Sequence, residues 1–113
     1  MLASAESETG PLKAKLLHGI SDPSRLAILE AVRFGRQTVS QIVEATGLGQ
    51  PNVSNHLACL RGCGLVRAHP EGRYVYYALS DARVKALLVA IEELVACVGE
   101  EVGRCDRSVT SGS

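Results

Sequence analysis

The chain has 113 residues, 46% of them hydrophobic, and its 12 basic and 12 acidic side chains cancel. This is enough for one domain with a small core, too apolar for a disordered chain, and devoid of any run long enough to span a membrane. The opening MLASAESETG lacks the basic start and apolar run of a signal peptide, so a cytoplasmic protein is expected, whose four cysteines serve as ligands, redox sensors or core filler rather than as disulfides.

Residues 1–10, rich in Ser, Glu and Ala, read as a disordered N-terminal tail. Pro11 suits a first helical turn, and Leu12, Leu16, Leu17 and Ile20 give the helix after it one apolar stripe. In Ser21-Asp22-Pro23-Ser24-Arg25, Ser21 or Asp22 can cap a second helix and Pro23 fits its first position. That helix is expected to reach about Phe34, with Leu26, Leu29 and Val32 inward, Ile28 widening the face, and Gly35 as its end. Thr38 or Ser40 starts a third helix with Val39, Ile42 and Val43 at helical spacing. Gly47-Leu48-Gly49 is a turn, and a fourth helix begins near Gln50 or Pro51. Two short helices around a tight glycine turn predict a helix-turn-helix.

The fourth helix, QPNVSNHLACLRGCGL over residues 50–65, organises the rest. Val53, Leu57 and Leu60 fall on one stripe that should face a core. Gln50, Asn52, Ser54, Asn55 and His56 carry groups that can meet bases or phosphates. Cys59 and Cys63 share a flank with Asn52 and His56. Residues four apart on a helix lie about 5–6 Å apart at Cβ, so two thiolates with metal–sulfur bonds of about 2.3 Å can reach one ion. Packing near a helix end is the plain alternative for both, since free cysteine is often buried. Gly64 is a natural stop.

Beyond Gly64 the apolar period becomes two. Residues 65–70 form one expected strand, Glu71-Gly72 a turn, and residues 73–79 a second strand. A hairpin after a helix-turn-helix predicts a winged helix, mainly α with a β-hairpin wing whose tip offers Arg73 and Tyr74 to DNA. Between Gly47 and Ser80, Arg61, Arg67 and Arg73 face a single acid, Glu71, while acids cluster towards both ends. That asymmetry suits a DNA-facing middle. Ser80-Asp81 opens a last helix with Val84, Leu87, Leu88, Ile91, Leu94, Val95 and Val98 at 3–4 spacing up to Gly99. So long a stripe on a terminal helix predicts a dimer face, shared with the first helix. The domain then spans 11–99, and residues 100–113 form a C-terminal tail containing Cys105.

These motifs together resemble the ArsR/SmtB family of dimeric winged-helix, metal-sensing repressors. The resemblance covers residues 12–98 and rests on SDPSRLAIL (21–29), SNHLACLRGCGLV (54–66) and EGRYVYYAL (71–79). It is strongest to the CmtR-type sensors of cadmium and lead. The resemblance implies a homodimer on inverted-repeat operator DNA, with no enzymatic activity, no small-molecule substrate and no membrane. It also implies metal ligation by Cys59 and Cys63 and by a tail cysteine of the other subunit, here Cys105, with Cys97 as its rival. The family's zinc-type site on the last helix keeps Asp81, but Arg83 stands where a His would be expected. Three thiolates favour Cd(II) or Pb(II) as inducer, with Zn(II), Hg(II) and As(III) as competitors. A thiol-redox-sensing repressor and a winged-helix module used only for protein contacts are the alternatives from other classes.

Overall fold

A computed structural model describes residues 2–111, with side chains over 9–99. The elements in chain order are α1 (Leu2–Ser21), α2 (Pro23–Val32), β1 (Gln37–Thr38), α3 (Val39–Thr46), α4 (Gln50–Gly62), β2 (Val66–Glu71), β3 (Tyr74–Leu79) and α5 (Ala82–Ser111). The chain divides into two compact units, the first ending at Ala82 and the second being the remainder of the last helix.

The first unit closes over one core, with Ile20 from α1, Ile28, Leu29 and Val32 from α2, Ile42 from α3, and Val53, Leu57 and Leu60 from α4 all buried. Ile28 is fully buried while Leu26 is half-buried, so the inward stripe of α2 is centred one residue away from the expected one. The helix also stops at Val32, short of Phe34, and the Gly35 N–H donates to the Val32 carbonyl. Asp22 caps α2 by accepting from the Arg25 N–H at 3.1 Å, with Pro23 in the first turn. A reciprocal capping box starts α3. Thr38 Oγ1 accepts from the Gln41 N–H at 3.2 Å, and the Thr38 N–H donates to Gln41 Oε1 at 2.9 Å.

The end of α4 is a two-bond lock. The Leu65 N–H reaches back to the Leu60 carbonyl at 2.9 Å and the Gly64 N–H to Arg61 at 3.0 Å, with Gly64 at φ 79 in the left-handed region that only glycine enters cheaply. Leu65 and Val66 are thereby delivered buried into the core. The wing follows as an antiparallel pair from Val66↔Leu79 to Glu71↔Tyr74. Gly72, at φ 64, takes the first loop position, where a two-residue hairpin of type II′ needs positive φ.

Sequence periodicity did not reveal β1. Its two residues pair with β3 as Gln37↔Tyr77 and Thr38↔Tyr76, giving a three-stranded sheet in the order β1-β3-β2. The ends differ too. The backbone of α1 begins well before Pro11 and holds that proline inside the helix, although proline has no N–H for the ladder. The second unit is helical to Ser111, interrupted at Val98 (φ −117, ψ 19), next to the expected stop at Gly99.

Candidate DNA-reading surface and thiol pair

Burial of Val53, Leu57 and Leu60 fixes the rotation of α4 about its axis. With that stripe inward, Gln50, Asn52, Ser54 and Asn55 stand exposed. Arg73 and Tyr74 are exposed at the wing tip. These six of the expected DNA-contact residues are therefore open to solvent.

His56 is set apart. It is half-buried on the flank of α4, with Nε2 4.0 Å from Asp22 Oδ2. The Arg25 N–H hydrogen bond is the main reason the Asp22 carboxyl lies below its ordinary range, helped by the charges of Arg25 and His56 and opposed by partial burial. The recognition helix is thus tied to the start of α2 through the side chain that caps it. The sequence identified Asp22 as a capping residue but carried no signal that it would face His56.

On the same flank lie Cys59 and, at the C-terminal cap of α4, Cys63, both half-buried free thiols near enough to act on each other electrostatically. Burial pushes the Cys63 thiol up, and the neighbouring Cys59 adds to this, while Lys15 and Arg25 pull it back. Arg25 is itself fixed, donating from Nε to the Gly19 carbonyl at 3.0 Å and from Nη2 to the His18 carbonyl at 3.0 Å. It closes the end of α1, where helix carbonyls lack internal partners, and brings a positive charge towards the thiols. Nothing in the sequence signalled that Lys15, or Arg25 of the SDPSRLAIL segment, would lie near the thiols.

Two neighbouring thiols, one on α4 and one at its cap, are a fitting part of a soft-metal donor set. Among the described residues, no group of three or more His, Cys, Asp or Glu side chains is placed to hold an ion. The Cys105 side chain lies outside the described ones, and Cys97 is exposed on α5. No helix among the described residues is long and apolar enough to cross a membrane.

A helix-turn-helix whose second helix presents a polar face, followed by a hairpin wing, defines a winged helix-turn-helix DNA-binding fold. Residues 22–68 match the bacterial regulatory proteins of the arsR family. The chain is 45% identical over 85 residues to the HTH-type transcriptional regulator CmtR of Mycobacterium tuberculosis, covering 75% of this chain and 72% of that one. The NMR structure of that organism's cadmium metal-sensor CmtR superposes with a TM-score of 0.61 at 48% identity, over 73% of this chain and 82% of the other. A homodimeric winged helix-turn-helix DNA-binding domain from Mycobacterium bovis gives a TM-score of 0.75 at 29% identity, over 85% and 88%. A probable mercury resistance operon repressor of Streptomyces lividans is 35% identical, over 83% of this chain and 75% of its own. The chain belongs to the arsR family, and is a DNA-binding transcriptional regulator rather than an enzyme.

Proposed function

We propose that this protein is a metal-responsive repressor that binds an inverted-repeat operator as a homodimer and leaves it when Cys59 and Cys63 take up a soft metal ion. The observation that carries this reading is the placement of Cys59 on the DNA-reading helix and of Cys63 at its C-terminal cap, two half-buried thiols near enough to act on each other. Input and output then share one rigid element, and a change at the thiols is a change in the placement of α4.

The homodimer draws support from apolar side chains left open on both terminal helices. Leu12 and Leu17 of α1 are 64% and 56% exposed, and Leu94 and Val95 of α5 are 60% and 51% exposed. In the dimer the two α4 helices enter successive major grooves, with Gln50, Asn52, Ser54, Asn55 and His56 at bases and phosphates and with Arg73 and Tyr74 on the wings. Cys105 of the partner subunit completes a three-sulfur site, in preference to Cys97. A soft ion supplies the sulfur bonds that join α4 of one subunit to the tail of the other. Cd(II) or Pb(II) is the proposed inducer, in keeping with the cadmium metal-sensor among the relatives. Hg(II), named through the S. lividans relative, and Zn(II) and As(III) are competing thiophiles. The cytoplasm, where thiols stay reduced, is the proposed compartment.

The test is an anaerobic Cd(II) titration of reduced protein, read by thiolate-to-metal charge-transfer absorption and by operator release. An intense band saturating at equal metal and subunit, weakened by Cys105→Ser, supports the reading. Cys59→Ser and Cys63→Ser should keep operator binding and lose release. Absence of any band removes metal sensing at these cysteines. The same thiol pair favours a second reading, oxidation of Cys59 or Cys63, which is distinguished by release that a thiol reductant reverses and a chelator does not.

A further inference from the structure

The open face of the wing carries a strap. Arg36, just before β1, sends its guanidinium over the Tyr76 ring, 4.3 Å from the centroid, to a forked ion pair with Glu71. The two N–H···O distances are 3.0 and 2.8 Å. Because β3 lies between β1 and β2, the side chain spans the middle strand and grips the end of the outer one. His69 approaches the same carboxylate, with Nε2 3.8 Å from Oε2.

An exposed ion pair ordinarily contributes little, because two long side chains retain their freedom and water screens them. Here the fork fixes the guanidinium plane and the ring supports it from below. The place matters more than the strength. Glu71 is the only acid between Val66 and Leu79, and only Gly72 separates it from Arg73. A bare carboxylate there would repel the phosphates that Arg73 is placed to meet.

We propose that Arg36 is a positioning residue for DNA binding that acts through Glu71, cancelling the wing's one carboxylate so that it does not repel the phosphates Arg73 is placed to meet. This rests on the reading of α4 and the wing as the DNA-binding surface. Arg36 is not itself the phosphate contact; its partner is the carboxylate.

The experiment measures binding of the reduced full chain to two labelled duplexes, one of mixed sequence and one of the DNA preceding its own coding region. Arg36→Ala should weaken both about threefold to tenfold, since a charge near phosphates acts regardless of sequence. Glu71→Gln should bind as well as wild type or better. The double variant Arg36→Ala/Glu71→Gln should return to within about twofold of Glu71→Gln, with the wild-type salt slope. Were Arg36 a phosphate contact, the double variant would stay as weak as Arg36→Ala and its log–log salt slope would drop by about 0.9; that result overturns the proposal. Unchanged binding by Arg36→Ala overturns it too. A wild-type chain that binds neither duplex defeats the DNA-binding reading and the proposal with it, whereas wild-type binding that Arg36→Ala leaves untouched defeats the proposal alone. Hydrogen exchange at the amides of Tyr74–Leu79 should quicken in Arg36→Ala while the helices keep their protection. Arg36→Gln, which keeps the stem over Tyr76, serves if Arg36→Ala does not fold.

Discussion

Gly19 of α1 lies against Cys63, the cap of α4, so closely that a Cβ on Gly19 would stand 3.4 Å from the sulfur and 3.0 Å from Cδ1 of Leu65. The last turn of α1 therefore roofs the thiol. Leu65 is only 1% exposed, so it must yield within the core. In Gly19→Ala the better helix propensity gains up to about 1 kcal/mol, and overpacking of a tight core costs about 1–3 kcal/mol. The expected net loss is about 1 kcal/mol, seen as a lower urea midpoint at unchanged slope. The Cd(II) charge-transfer band should change little, because the added methyl meets the Cys63 sulfur at an ordinary contact distance and strains Leu65 instead. A raised midpoint would mean that the turn yields freely and the roof is loose.

The capping box of α3 gives a second stability prediction. Thr38 supplies both halves of an exchange with Gln41, one through its hydroxyl and one through its backbone N–H. Thr38→Ala leaves the Gln41 N–H without that acceptor and should cost about 1 kcal/mol. Thr38→Ser, which keeps the oxygen, should recover most of it. Equal losses in the two variants would place the role of Thr38 in β1 pairing, not in the cap.

Most of this architecture was legible in the sequence because its signals are local. Pro23, Gly64 and Gly72 each demand a particular backbone conformation, and the Val53–Leu57–Leu60 stripe sets which side of α4 faces out. What escaped is non-local or lacks a period. A two-residue strand such as β1 has no alternation to detect, and its identity comes from pairing with Tyr76 and Tyr77. The Arg36–Glu71 strap joins residues 35 apart in sequence. The helical backbone over residues 2–10 escaped for a different reason. Its Ala and Glu residues are good helix formers, but Pro11 behind them argued for a start rather than an interior position. Within the site, the spacing of Cys59 and Cys63 put them on one flank, whereas Gly19, Lys15 and Arg25 come near Cys63 only through the packing of the helices.

The thiols should differ in reactivity. A thiolate, not a thiol, attacks an alkylating agent. Burial, reinforced by Cys59, holds the Cys63 proton on, whereas Cys97 is exposed. Iodoacetamide at neutral pH should therefore label Cys97 well before Cys63, as followed by peptide mass spectrometry of the native protein. Labelling in the reverse order would mean that Lys15 and Arg25 outweigh burial at the sulfur. Because ligation requires the Cys63 proton to leave, Cd(II) affinity should rise with pH, with protons released on binding.

Asp22 makes the helix contact between α2 and α4 sensitive to acid. Its carboxyl is held below the ordinary Asp value of about 3.9, chiefly by the Arg25 N–H, then by the Arg25 charge and the Ser24 N–H, and least by the His56 charge. A group whose folded value is depressed contributes stability that is fully present above its unfolded value and is lost as pH falls through the folded one. Asn caps a helix about as well as Asp but carries no charge. Asp22→Asn should thus be less stable than wild type at neutral pH, and the gap should close as pH falls below about 3.9. Urea midpoints of both proteins across that range are the measurement. A gap that persists unchanged into acid would mean that the carboxylate charge contributes nothing and that the cap alone matters. In that case the 4.0 Å approach of His56 Nε2 to Asp22 Oδ2 would be a packing contact, leaving the imidazole free to turn outward when α4 meets DNA.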